Sequence, residues 1–158
     1  MVKSLSMPFE REAVIPLVCN CTKLRRAARR ISRFYDDWLA RTGLKTTQFS
    51  ILASLAHFGP KTMQHLADQM AMDRATMGHN IKPLERDGFV AVSTNPNDRR
   101  SKIIVVTQKG LDAIELGRPL WTEAQKEFEH RFGAENAALM REMTDTIAES
   151  FRDPARAD

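Results

Sequence analysis

The fold of this chain follows from the stretch Asn95-Pro96-Asn97-Asp98-Arg99-Arg100-Ser101-Lys102. β-Branched residues dominate the segments on either side of it, whereas Asn, Pro and Asp are typical turn residues. The pattern predicts a β-hairpin over about residues 90–107 with cations at its tip. We expect Asp98 to pair with Arg100 and to hold that side chain extended.

A capped helix is predicted immediately before the hairpin. It begins after Asp73 and ends at Gly88. Its inner face carries three apolar residues: Met77, Ile81 and Leu84. Thr62 caps a shorter helix upstream, and the dipeptide Ala71-Met72 makes a tight turn between the two helices. A short helix, a longer polar helix and a basic hairpin in this order are the layout of a winged helix-turn-helix, which binds duplex DNA.

The residues expected to contact DNA lie on the outer face of the longer helix and at the hairpin tip. Arg and Lys bond guanine O6 and N7, His donates to a base or phosphate, and small residues allow close approach. We expect Thr76 to donate to a phosphate near the helix N-terminus. The predicted DNA-binding residues are Thr62, Arg74, Ala75, Thr76, Gly78, His79, Lys82, Arg86, Asp98, Arg99, Arg100 and Lys102. The alternative is an amphipathic helix with a solvated polar face.

Length and charge agree with one DNA-binding domain over residues 1–158. Residues 1–111 hold 18 Lys and Arg against 9 Asp and Glu, whereas residues 112–158 hold 6 against 11. This split favours a polyanion partner on one side of the molecule, and a solvated basic surface is the alternative. No apolar run approaches ~18 residues and no secretory signal is evident, so we expect a cytoplasmic protein without a membrane partner.

Three longer helices flank the winged-helix segment. Apolar residues repeat at steps of three and four over about residues 16–41, and two further helices cover about residues 108–151. Because one body of this length cannot cover all three apolar sides, we expect a homodimer that buries them. The first helix also carries six cations with no acid among them: Lys23, Arg25, Arg26, Arg29, Arg30 and Arg33. They could contact the DNA backbone, an anionic ligand or acids of the partner subunit, and we favour the last.

These residues resemble the MarR family of bacterial transcription regulators over about residues 17–150. The matching motifs are Gln48-Phe49-x-x-Leu52, Leu66-Ala67, Leu84-Glu85-x-x-Gly88-Phe89-Val90, Asp98-x-Arg100 and Thr107-x-x-Gly110. The resemblance implies a mainly α fold of six helices with a small β-hairpin wing. It implies a winged lobe at about residues 44–108 and dimerisation through the first, fifth and sixth helices. Many members carry Thr-Arg where this chain has Gly78-His79, a difference that affects base preference.

The resemblance also implies a homodimeric repressor that is released from a pseudo-palindromic operator by a small aromatic ligand or by thiol oxidation. Cys21 stands where the organic-hydroperoxide-sensing branch of the family carries its reactive cysteine, and Tyr35 resembles a tyrosine that approaches that cysteine. Arg25 replaces a second tyrosine of that branch. Cys19 is a further candidate sensor. The alternative is that Cys21 is a small inert residue of an apolar seam.

Ligand binding is the competing switch. A pocket between the winged lobe and the dimer helices is predicted from aromatic and imidazole side chains: Tyr35, Trp38, His57, Phe58 and Trp121. The alternative is that these residues belong to the core. The sequence has no Gly-rich phosphate loop, Gly-x-Ser-x-Gly or His-Glu-x-x-His motif, so we expect neither an enzyme nor a cofactor. No metal-ligand spacing is evident. A metal-responsive regulator and a protein-interaction module that does not bind DNA stay as alternative functions.

Overall fold

The computed structural model describes residues 18–152. The chain consists of two units, and the boundary along the sequence falls between Phe34 and Tyr35. The described residues form six α-helices, one short 3-10 helix and three strands. Their bounds are α1 Asn20–Leu39, the 3-10 helix Ala40–Thr42, α2 Thr46–Phe58, β1 Lys61–Thr62, α3 Met63–Gln69, α4 Arg74–Arg86, β2 Val90–Asn95, β3 Asp98–Val106, α5 Gln108–Phe132 and α6 Ala134–Ser150. The predicted mainly α, winged-helix fold is therefore confirmed. Residues 16 and 17 of the predicted first helix lie outside the described part.

The core of the second unit is built by α2, α3, α4, the sheet and the first turns of α5. Its fully buried side chains include Leu39, Ile51, Leu52, Leu55, Leu66, Met77, Ile81, Leu84 and Ile104. Each such side chain contributes about 1.5–3 kcal/mol of burial free energy. The three α4 members of this set share one face of their helix, as predicted, and this fixes the opposite face of α4 toward solvent.

The three strands form one antiparallel sheet in the order β1-β3-β2. Val90 of β2 pairs with Val106 of β3, and Thr94 pairs with Lys102. The sequence predicted this hairpin but not β1, which pairs Lys61 with Ile104 and Thr62 with Ile103. A strand of two residues is too short to show alternating apolar and polar side chains, so β1 is defined only by its pairing with β3.

Polar caps fix where the helices of this unit begin. The Thr62 hydroxyl oxygen accepts the backbone N–H of His65 at the start of α3, as predicted. Thr107 caps α5 in the same way through the N–H of Gly110. Ala71 adopts the left-handed conformation with φ 51°, which turns the chain sharply between α3 and α4. These local bonds set the spacing of the helix-turn-helix.

Gly110 makes a close approach that no other residue type can make. A Cβ at this position would fall inside van der Waals contact of the Phe89 carbonyl oxygen and of the Val106 side chain. We therefore expect Gly110→Ala to lower the free energy of unfolding by about 1–3 kcal/mol, measured by urea denaturation. Gly78→Ala is the matched control, because nothing lies within 4 Å of its added Cβ. An equal loss in both variants would contradict this explanation.

Candidate nucleic-acid interface

The outer face of α4 is polar and exposed. Its exposed members are Arg74, Ala75, Thr76, His79, Lys82 and Arg86, whereas Gly78 is half-buried. Within residues 18–152, neither Arg74 nor Lys82 takes part in an ion pair. Their charges are therefore available to an external anion.

At the N-terminus of α4, Thr76 bonds to the helix cap through its backbone and its side chain. Its backbone N–H donates to Oδ1 of Asp73 at 2.7 Å, and its hydroxyl donates to Oδ2 of the same carboxylate at 2.7 Å. The contact of Thr76 with a phosphate stays a prediction, and it would need the hydroxyl to leave the helix cap. The predicted cap at Asp73 is confirmed. The hydrogen bonds from Thr76 hold the pKa of the Asp73 carboxyl below its usual value.

The lowered pKa of Asp73 makes the start of α4 sensitive to acid. The cap stabilises the helix fully above the unfolded pKa of about 3.9, and this stabilisation is lost as the pH falls through the lower folded pKa. We expect amide hydrogen exchange at Thr76, corrected for its intrinsic rate, to accelerate over that acid range. Asp73→Asn should remove the pH dependence, because an amide accepts the same N–H bond without titrating. A pH dependence that persists in Asp73→Asn would assign it to another group.

The C-terminal end of α4 holds an ion pair that the sequence pattern did not predict. Arg86 donates through Nε to Oδ1 of Asp87 at 2.7 Å and through Nη2 to Oδ2 at 2.9 Å. This contact lowers the pKa of Asp87. Arg86 is thus paired with the adjacent residue in the free chain, and its contact with DNA stays a prediction.

The hairpin tip, here called the wing, carries its arginines in a bulge. Thr94 pairs with Lys102 and the next residue, Asn95, pairs with Asp98, so β3 has three extra residues between the two pairs. The extra residues are Arg99, Arg100 and Ser101. A bulge bends its strand and redirects its side chains, and both arginines here are exposed. No ion pair within residues 18–152 includes either of them.

Hydrogen bonds within the wing hold this bulge in place. Oδ1 of Asp98 accepts the backbone N–H of Arg100 at 3.0 Å, so Asp98 pairs with Arg100 through the backbone. The Ser101 hydroxyl donates to the Asp98 carbonyl oxygen, and Nδ2 of Asn95 donates to Oγ of Ser101. Asp98 thus shapes the backbone, and the guanidinium of Arg100 forms no ion pair with the described part of the chain. Asn95 and Ser101 were missed as supporting residues, although Asn in a turn is the pattern that predicts such bonds.

Of the candidate sensor residues, Cys21 and Tyr35 lie on α1, and Cys19 immediately precedes it. Both cysteines are free thiols, and Cys21 is exposed rather than part of a buried seam. The side chain of Thr22 hydrogen-bonds to Cys19 and lowers the pKa of its thiol. The Tyr35 hydroxyl donates to Oε1 of Gln125, and burial raises the pKa of that phenol.

A groove of about 830 Å³ lies between the helix-turn-helix and the end of α6. Its walls come from Phe58, Lys61, Thr62, Gln64, His65, Asp68, Gln69, Ala71, Met72, Ala148, Glu149, Phe151 and Arg152. Of the five predicted pocket residues, this groove is lined by Phe58 alone, which stacks edge-on with the exposed His57. Tyr35 instead packs near Phe128. The predicted ligand set is therefore not gathered around this groove, and a pocket formed by it stays a prediction.

Two further observations concern membrane-spanning helices and metal-binding groups. Within residues 18–152, no helix has the length and apolar character needed to cross a bilayer. The same residues contain no group of three or more His, Cys, Asp or Glu side chains that could hold a metal ion.

The comparisons with known proteins agree with this geometry. The model of the MarR family matches residues 44–102. The transcriptional regulator MosR of M. tuberculosis, solved in complex with DNA, is 35% identical with a TM-score of 0.74, over 85% of this chain and 99% of that chain. The repressor NicR of Pseudomonas putida is 28% identical over 130 residues, 78% of this chain and 80% of that protein. The regulator MhqR of Bacillus subtilis is 27% identical over 91 residues, and this match spans 58% of the chain and 63% of MhqR.

Proposed function

This chain belongs to the MarR family of DNA-binding transcription regulators, and from that premise we propose that it is a cytoplasmic homodimeric repressor of a pseudo-palindromic operator. Each α4 enters a major groove, and each wing reaches the flanking minor groove. Half-sites then lie about one helical turn, ~34–36 Å, apart.

One observation carries the proposal: the second unit presents, in a winged helix-turn-helix, two groups of exposed cations that form no ion pair within residues 18–152. Arg74 and Lys82 stand on the outer face of α4, and Arg99, Arg100 and Lys102 stand in the wing. Cations on a groove-sized helix suit guanine and phosphate contacts, while extended arginines suit a narrow A·T minor groove. The DNA-bound MosR relative has the same fold.

Exposed apolar side chains on α5 and α6 support the homodimer. They are Leu111, Leu116, Trp121, Phe132, Leu139, Met143 and Ile147. Apolar side chains grouped in this way on two long helices usually mark an interface between protein chains. A second copy related by a twofold axis would cover them and would also space two α4 helices for a pseudo-palindrome.

Release from DNA is proposed to follow thiol oxidation or binding of a small aromatic acid. A hydroperoxide converts a cysteine thiolate to sulfenic acid and is itself reduced to an alcohol. Exposure supports Cys21 as the target, and the lowered thiol pKa supports Cys19, because oxidation proceeds from the thiolate. Phe58 and Lys61 in the groove would suit an aromatic acid.

The oxidation route makes a specific prediction. Organic hydroperoxide should release operator DNA from the wild-type protein but not from the variant that lacks the sensor thiol. Cys21→Ser and Cys19→Ser form a matched pair, since each removes one sulfur and leaves the other. Anisotropy of labelled operator measures release. Equal release from the wild type and from the variant that carries both substitutions would eliminate the cysteines and leave ligand binding as the switch.

Selection of bound sequences from a genomic fragment pool, with and without oxidant, tests the proposed function as a whole. The expected result is enrichment of a pseudo-palindrome, whose affinity falls linearly with salt on logarithmic axes. An interaction module that does not bind DNA would enrich no sequence. It would also show no such salt dependence.

A further inference from the structure

A proline lies inside α4, the helix that presents its outer face to DNA. Pro83 is a helical residue of α4 and has no backbone N–H. In a regular α-helix, that N–H would donate to the carbonyl oxygen of the residue four positions earlier, which is His79. Within residues 18–152, a helix interior holds proline at one other position, Pro119 of α5. The carbonyl of His79 therefore lacks its regular helical donor.

This carbonyl belongs to the side of α4 that faces solvent. His79 is exposed, and at about 100° per residue it lies roughly opposite the middle of the buried face of the helix. A proline ring clashes with the carbonyl four residues before it and deflects that carbonyl from the helix axis. Within residues 18–152, the α4 carbonyl that accepts a side-chain bond is that of Thr76, from Nδ2 of Asn80. No side chain of this range donates to the carbonyl of His79.

The cations of the outer face can supply only half of a base readout. The charged groups of Arg74 and Lys82 donate hydrogen bonds and accept none, so they suit O6 and N7 of guanine. The major groove also presents donors, which are the N6 amino group of adenine and the N4 amino group of cytosine. Glu85 is the acid within α4, but at about 100° per residue it lies closer to the buried face than to the outer one. A main-chain acceptor at His79 would supply what the cations lack.

We propose that Pro83 leaves the main-chain carbonyl of His79 able to accept a hydrogen bond from the amino group of one adenine or cytosine per half-site. This inference rests on the proposed entry of α4 into the major groove. Reversal of the base pair would place an acceptor, O4 of thymine or O6 of guanine, where the amino group was, and two acceptors cannot pair. Pro83 is then a positioning residue for base readout, acting through His79.

Operators that lack single amino groups test the contact. Purine in place of adenine removes the N6 amino group, and 2-pyrimidinone in place of cytosine removes the N4 amino group. A scan of the selected operator with both analogues therefore covers both possible bases. With the wild-type protein, we expect one position in each half-site at which loss of the amino group weakens binding about tenfold, measured by fluorescence anisotropy at fixed salt.

Pro83→Ala restores the N–H that closes the helix on the carbonyl of His79. We expect this variant to bind the intact operator about tenfold more weakly and to be insensitive to the missing amino group at the position found with the wild type. Its midpoint of urea unfolding should rise, because alanine adds a helical hydrogen bond, so the weaker binding would not come from a loss of fold. Pro119→Ala is the matched control, since it removes a helix proline outside the helix-turn-helix and should keep the wild-type sensitivity.

His79→Ala separates the main chain from the imidazole, because it removes the ring and keeps the carbonyl. Loss of the ring should weaken binding to intact and substituted operators alike, and the penalty for the missing amino group should stay about tenfold. If that penalty disappears in His79→Ala, a ring nitrogen rather than the carbonyl accepts the bond, and the inference is wrong.

Three further results would overturn the inference while leaving sequence-specific DNA binding intact. The first is a wild-type scan with no position that is sensitive to an amino group. The second is equal sensitivity in Pro83→Ala and the wild type, which would show that the acceptor does not depend on proline. The third is a change at many operator positions in Pro83→Ala, which would assign the proline to the course of the helix. A wild-type chain that selects no DNA sequence would instead refute the proposed function, and the inference with it.

Discussion

Arg100→Ala should weaken operator binding by about 1–3 kcal/mol for each wing that reaches DNA, while the dimer stays folded. The guanidinium has no ion-pair partner within residues 18–152, and the bulge holds its backbone away from the regular ladder. Arginine in a narrow minor groove gains from the enhanced negative potential there. Fluorescence anisotropy with the selected operator, at one fixed salt concentration, measures the loss.

Asp98→Ala separates positioning from charge in the same wing. Removal of an acid near phosphates would strengthen DNA binding if charge alone mattered. Loss of the acceptor for the Arg100 N–H should instead loosen the bulge and weaken binding.

Lys82→Ala is the comparison on α4, and we expect weaker binding with a shallower salt slope. Unchanged operator affinity in Arg100→Ala at moderate salt would refute the role of the wing.

Local sequence patterns were sufficient to predict the elements whose determinants lie close together in the chain. The caps at Thr62 and Asp73 each need one polar side chain three residues before an N–H group. The hairpin follows from turn residues between two β-branched runs. The buried face of α4 follows from helical periodicity. In each case, the residues that determine the structural element all lie within one short segment of the chain.

The polar contacts that the sequence did not specify share a different cause: one polar group had several partners within reach. Thr76 could donate to a phosphate or to its own cap, and the intramolecular carboxylate is always present at a fixed distance. Arg86 could face DNA or Asp87, and the adjacent residue provides two acceptors. Asp98 could hold a guanidinium or a backbone N–H, and the turn geometry decided for the backbone. Sequence spacing alone does not rank such alternatives.

Tertiary placement explains what the sequence could not predict. The strand β1 consists of two residues and exists because Ile103 and Ile104 lie beside it. The groove next to α3 is lined partly by the end of α6, more than seventy residues away in the chain. Aromatic residues chosen by helical spacing could not indicate this arrangement.

Met143→Glu combined with Ile147→Glu should convert the protein to a monomer and lower operator affinity by about 10²–10⁴-fold. Both side chains are exposed in the single chain, at 56% and 37%, so the substitutions should leave the monomer fold intact. In a dimer they would bury two carboxylates per copy in an apolar contact, at a large desolvation cost. A monomer then binds each half-site separately, without the gain from linked binding.

Phe58→Glu is the matched control for this last variant, since Phe58 is also exposed, at 57%, but lies at the end of α2. Sedimentation should show a dimer for Phe58→Glu and a monomer for the α6 variant, with similar circular dichroism for both. If the α6 variant stays dimeric and keeps its operator affinity, the apolar side of α6 is not the interface, and the exposed residues of α5 must supply it. A monomer that still binds the operator with full affinity would show instead that dimerisation and DNA binding are independent in this chain.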